Sequence, residues 1–182
     1  MKLFIRATLL AVIIALTASC TSTPDTTKQT ANAVKPYQVG DTITQFTLKG
    51  IDKKSTISFD DDIKGKSKAI AIIFFTATCS SCKEEISFLS NLANSSGDDL
   101  KVYAVKESFS TKLEHLTPSK PLLNNINYIE DKDFTLMVRF GFKYAPSLAL
   151  ADSSGKITFF KSGYSTTDNT EISNEVRKIL GK

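Results

Sequence analysis

Two cysteines separated by two serines, Cys79-Ser80-Ser81-Cys82, are the residues of this chain whose type and spacing most directly offer chemistry. The spacing lets the sulfurs close into a small ring, so Cys82 can displace a partner held in a mixed disulfide on Cys79. The pair follows the apolar run Ala69 to Phe75 and precedes an amphipathic stretch, Lys83 to Leu92. A strand therefore delivers two thiols to a helix start, where unpaired backbone N–H groups and the positive end of the helix dipole favour a thiolate on the first of them. Other uses of the pair fit less well. A closed structural zinc site takes four Cys or His ligands, and only Cys20 and His115 remain to supply the rest. A structural staple closing so short a loop contributes roughly 2 kcal/mol, against about 4.7 for a long one. Inert core cysteines belong away from a strand-to-helix junction rather than on it.

The elements around the pair follow from periodicity. Ala69 to Phe75 is apolar almost throughout, as in a strand covered on both faces. The helix after the cysteines buries Ile86, Leu89 and Leu92 and carries Glu84 and Glu85 in its first turn, where the dipole favours negative charge. Leu100 to Val105 reads as the next strand. Upstream, Phe46-Thr47-Leu48 and Ser55 to Phe59 alternate around Gly50 and Asp52, a short hairpin before the main sheet, and Gly65-Lys66 marks entry to the central strand. Downstream, Asp133 starts a helix that ends at Gly141 and turns Leu136, Met137 and Phe140 inward. Ser147 to Ala151 and Lys156 to Phe160 flank the turn Asp152-Ser153-Ser154-Gly155 as a β-hairpin. Asp168 and Glu171 have capping-box spacing for a last helix that buries Ile172, Val176, Ile179 and Leu180. After the opening hairpin the expected order is β-α-β-α-β-β-α.

The N-terminus speaks to compartment. Lys2 and Arg6 precede Leu9 to Leu16, an apolar run too short to span a bilayer but suited to a signal peptide. It ends in Leu16-Thr17-Ala18-Ser19-Cys20, which resembles the lipobox of bacterial lipoproteins, with Thr17 where that motif more often has Leu. By that resemblance residues 1–19 are a signal peptide, and Cys20 becomes the lipidated first residue of a chain held at a membrane in the cell envelope, facing the periplasm or extracytoplasmic side. Residues 20–36 are polar and Thr-rich with Pro24 and Pro36, a flexible tether that cannot bury a core. Residues 37–182 have the size of one ordinary domain. Of 23 basic and 19 acidic residues, Lys2 and Arg6 leave with the signal, so 21 basic face 19 acidic, which gives no reason to expect a nucleic-acid partner.

Across nearly all of the domain the chain resembles the thioredoxin superfamily, and most closely the membrane-attached thiol-disulfide oxidoreductases of the TlpA/ResA type. The resemblance is carried by Gly40-Asp41, Phe46-Thr47-Leu48, Ile63-Lys64-Gly65-Lys66, Phe75 through Cys82, Tyr144-Ala145-Pro146 and the Asp152 to Gly155 turn. It implies an α/β fold, a central mixed sheet flanked by helices with an N-terminal β-hairpin extension. It also implies a redox-active Cys79–Cys82 disulfide, a cis peptide at Pro146, and substrate contacts at Thr78, Ala145 and Pro146, with the backbone of Ala145 pairing with substrate. The chain departs from the pattern twice. Thr78 stands where thioredoxin-like proteins usually have Trp, of which there is none here, and Ile73 stands where thioredoxins place a buried acid. Lys106-Glu107-Ser108 resembles the glutamate-bearing segment of ResA-like proteins, which makes Glu107 the expected proton acceptor.

The function expected is an exported, lipid-anchored thiol-disulfide oxidoreductase acting on protein disulfides, with no cofactor and no metal. Its partners would be exported protein thiols and disulfides and a membrane electron donor. Ser80 and Ser81 offer hydroxyls but no positive charge to a Cys79 thiolate, so a reductase or isomerase is expected rather than a strong oxidant. Two alternatives stay open: a Cu(I) metallochaperone using the same sulfurs, and a thioredoxin-fold binding module with an idle disulfide.

Overall fold

A computed structural model describes residues 35–107 and 123–182. Strands β1 (Thr47–Gly50) and β2 (Thr56–Ser58) form the first hairpin and lead through a π-helical turn, Phe59–Ile63, to β3 (Ala69–Phe75). Helix α1 (Ser80–Ser96) and β4 (Leu100–Glu107) follow, then β5 (Ile126–Asp131), α2 (Thr135–Phe140), the hairpin β6 (Ser147–Asp152) and β7 (Ile157–Ser162), and α3 (Asn169–Leu180). The described strands make one mixed sheet in the order β2-β1-β5-β4-β3-β6-β7. The centre, β5-β4-β3, is parallel; β6 and β7 on one side and β1 and β2 on the other run antiparallel.

All of β3 is buried, and its two faces feed two cores. Ile70, Ile72 and Phe74 join Tyr103, Val105, Ile129, Leu136 and Phe140 beneath α2 and the first hairpin. Ala71, Ile73 and Phe75 join Cys82, Ile86, Leu89, Ile172 and Val176 beneath α1 and α3. The alternation of β-strand side chains thus assigns every residue of the central strands to one layer or the other.

The stretch before β1 ties distant strands together. The Gly40 N–H donates to the Ile157 carbonyl (2.8 Å), the Ile157 N–H to Asp41 (2.9 Å) and the Ile43 N–H to Gly155 (2.9 Å), after which β1 pairs with β5. Ile43 and Phe46 of this segment are buried in the first core. Gly155 has φ +86°, and a Cβ there would lie 2.6 Å from the Phe59 ring, so the β6–β7 turn needs glycine both for its conformation and for its closeness to the Phe59 turn.

Three expectations change. Strand β5 goes unseen in the sequence reading, because Asn127 interrupts its apolar residues and Glu130 and Asp131 end it with charge, yet all six residues pair with β4. Helix α2 is started by Asp131 rather than Asp133: Asp131 Oδ2 accepts from the Leu136 and Met137 N–H groups at 2.9 and 3.0 Å, and the residue preceding the helix, Phe134, is left-handed. The capping box before α3 is Ser165 with Asp168 rather than Asp168 with Glu171, and it precedes a short 3-10 turn. Gly141 does end α2, with φ +71°.

Candidate active site

Thr76-Ala77-Thr78 carries the chain from the carboxyl end of β3 to the start of α1, and Cys79 is the N-cap of that helix. An N-cap needs an extended backbone and a side chain that can accept from the first turn. Cys79 has φ −82° and ψ 113°, and its Sγ accepts the Cys82 N–H at 3.1 Å. The Ser81 hydroxyl lies 3.5 Å from the same sulfur. Cys79 and Cys82 are joined, S–S 2.09 Å. Cys79 is half-buried between exposed Thr78 and Ser80, whereas Cys82 is fully buried. One sulfur is therefore open to a partner and the other is held behind it.

The Ala145–Pro146 peptide is cis. Pro146 is buried, its carbonyl accepting the Gly163 N–H at 2.8 Å, and Ser147 fixes the loop by donating from Oγ to the Tyr144 carbonyl at 2.6 Å. Ala145 packs on the same core as Cys79 and Cys82. No backbone hydrogen bond of Ala145 forms among the described residues, which leaves a donor and an acceptor for an incoming chain. Tyr144, 73% exposed, stands at the edge of this loop. Cys79, Cys82 and Ala145 thus share one core, and the Ala145–Pro146 loop enters β6 where Ser147 pairs with Phe74 near the end of β3, the strand that leads to exposed Thr78 and Cys79.

Glu107 is placed elsewhere. It ends β4 on the face of Tyr103 and Val105, in register with Asp131 of β5, while Lys106 faces the layer that holds α1. It is buried, and Oε1 has no hydrogen-bond partner. Burial first and the Asp131 charge second push its carboxyl up to about 7.

Glu85, expected from sequence only as a first-turn carboxylate favoured by the helix dipole, proves to lie buried on the same helix face as the buried sulfur. Glu85 follows Cys82 by three residues, so the two share the inner face of α1, and helical side chains lean back toward the N-terminus. Glu85 is 1% exposed and neither carboxyl oxygen has a hydrogen-bond partner. Burial, reinforced by the Asp168 charge and opposed by Lys161, raises it to about 8. The signal available in sequence was its place on the arc of Cys82, Ile86 and Leu89, all buried; Glu84, one residue away, is exposed. Among the described residues no group of three His, Cys, Asp or Glu side chains comes together as a metal site. Cys20 and His115 lie outside the described residues.

The sequence matches the Redoxin family over residues 38–177. The chain belongs to the Redoxin family. As a redoxin with a Cys79–Cys82 pair it is a thiol-disulfide oxidoreductase of the thioredoxin fold. Solved structures share that fold at low identity. A candidate thiol:disulfide interchange protein DsbE of Chlorobium tepidum aligns with TM-score 0.67 and 19% identity, over 79% of this chain and 99% of its own. The exposed lipoprotein thioredoxin of Streptococcus pneumoniae gives 0.58 and 22%, over 72% and 99%. A secreted disulfide oxidoreductase of Mycobacterium tuberculosis, homologous to Escherichia coli DsbE, gives 0.60 and 20%, over 74% and 96%. No curated protein matches this redoxin in sequence.

Proposed function

We propose that this redoxin is an exported, lipid-anchored reductase of protein disulfides. The observation that carries the catalytic part is the asymmetry of the pair: Cys79 caps α1 and is reachable beside the unpaired Ala145 backbone, whereas Cys82 is sealed behind it. In the reduced protein the Cys79 thiolate, favoured by the helix-start amides, attacks one sulfur of a substrate disulfide. The Cys79–substrate bond forms, the substrate S–S bond breaks, and one substrate sulfur leaves as a thiolate. Cys82 then gives its proton to Glu85 and attacks the Cys79 sulfur, closing the ring and expelling the second substrate sulfur. Two electrons pass to the substrate. A dithiol on a membrane donor returns them.

The reductase direction is supported by what surrounds Cys79. A strong oxidant has a heavily stabilised thiolate, and here the stabilising groups are backbone amides and the Ser81 hydroxyl. On the scale from about −270 mV for thioredoxin to about −120 mV for DsbA, this supports a potential nearer the reducing end. Export and anchoring rest on Lys2, Arg6, the Leu9 to Leu16 run and Cys20, and the solved pneumococcal relative is itself named an exposed lipoprotein.

The test is insulin reduction by dithiothreitol. Wild type is expected to speed precipitation of the insulin chains, Cys79→Ser to show only the uncatalysed rate, and Cys82→Ser to accumulate mixed disulfides with substrate. A wild type no faster than dithiothreitol alone would end the reductase reading, and equilibration with glutathione giving a potential close to that of DsbA would make disulfide formation the task instead.

A further inference from the structure

The buried Glu85 carboxyl lacks a hydrogen-bond partner but not electrostatic company. Helix α1 lies against the segment that follows β7, with Phe88 stacked on Tyr164 at 6.4 Å between ring centroids. On β7, Lys161 pairs in register with Leu148 of β6, and Leu148 with Ile73 of β3. Ile73 and Leu148 belong to the core beneath α1 and α3, so this row runs across the face that buries Glu85. Lys161 is held there by two carboxylates at once, Asp168 at 3.1 Å and Glu171 at 3.0 Å. Asp168 is in turn fixed by the Ser165 N–H at 2.8 Å. With its side chain only 24% exposed, the ammonium is a fixed cation rather than a wandering surface charge.

We propose that Lys161 is a positioning residue for disulfide exchange: clamped by Asp168 and Glu171, it sets how readily Glu85 takes up and gives back the proton of Cys82. This rests on the reading that Glu85 holds that proton. The physical case is one of unequal distance from water. In the interior a fixed charge acts on its neighbour through a low effective dielectric, and a carboxyl without hydrogen bonds has only such charges to offset the cost of ionising. After burial itself, Asp168 opposes the ionised form and Lys161, acting less strongly, favours it. Other ionisable groups on the surrounding elements include Lys83 and Glu84, exposed on α1; Tyr164, whose hydroxyl is engaged with Asn169; Glu171, already paired with Lys161, Glu175, paired with Lys178, and exposed Arg177 on α3; and Lys106, buried at the β4 side of the same sheet face. Lys161 is the cation whose charge acts on Glu85 and which two carboxylates hold in place.

The experiment follows the Glu85 carboxyl carbon by NMR against pH in the full chain, alongside the pH profile of insulin reduction. Wild type should titrate near pH 8. Lys161→Met should move the midpoint up by roughly one pH unit, as expected for loss of a close opposite charge. Lys161→Arg should restore it, Asp168→Asn should move it down, and the rate profile should follow each shift. In a Glu85→Gln background, Lys161→Met should leave the rate profile unchanged. An NMR midpoint unmoved by Lys161→Met, or moved equally by Lys161→Arg, overturns the proposal and reduces Lys161 to a structural clamp. A carboxyl midpoint that shifts as expected while Glu85→Gln leaves the rate profile intact instead overturns the reading of Glu85 as the proton holder.

Discussion

Glu85 and Glu107 are chemically identical side chains, both buried without full hydrogen bonding, on opposite faces of one sheet. Their faces separate their consequences. Glu107 meets Asp131, so its titration bears on stability. Its folded value is raised, so the stabilising neutral form is fully present below the ordinary carboxyl range and is lost as pH rises through about 7. Glu107→Gln stays neutral throughout. Calorimetry should therefore find wild type and Glu107→Gln melting close together near pH 4.5, with the variant higher by a few degrees at pH 8; a variant that loses Tm at both pH values would mean that the carboxylate is needed as an acceptor. The two cysteines were legible in sequence because residue type, spacing and the flanking strand and helix all bear on the same chemistry. The two glutamates were not. Which of them faces the sulfurs depends on strand register and helical phase, and one residue of error, Glu84 for Glu85 or Lys106 for Glu107, changes the answer.

At the scale of elements, the helices were recognised by periodicity but the start of α2 was assigned to the wrong aspartate. The three acids Glu130, Asp131 and Asp133 lie close together in sequence, and capping goes to the one whose backbone leaves a strand in the right direction. With β5 unseen, Asp131 had no strand to end and Asp133 was the natural candidate. Helix α2 has only six residues, so it depends on this cap more than a long helix would. Asp131→Ala should cost about 1–2 kcal/mol of unfolding free energy in a urea titration. Asp131→Asn, which keeps an acceptor for the Leu136 and Met137 N–H groups, should cost clearly less; equal losses would assign the effect to the burial of Asp131 beside Glu107 rather than to capping.

The whole molecule was legible as a fold because its signals are spread along the chain: the apolar central strand, the cysteine pair, the Tyr144-Ala145-Pro146 loop and the Asp152 to Gly155 turn each fall where a thioredoxin-like sheet needs them. The proposed anchor belongs to this scale as well, since it would determine which proteins the Cys79 face can meet. Metabolic labelling with a fatty acid should mark the wild-type chain and not Cys20→Ala, and label retained by the variant would rule out lipidation at Cys20. Such an attachment would place the protein in tension whenever a bound partner drew it away from the membrane. The load would enter near Tyr37, whose N–H is bonded to the Arg139 carbonyl, and would pass next to the bonds that join Gly40, Asp41 and Ile43 to the β6–β7 hairpin. Beyond them lies the pairing of β1 with β5, across the sheet. This strap lies over the core on the face away from α1, so a pull on the proposed tether would be borne by that face while the sulfurs on the other stayed in register with their substrate.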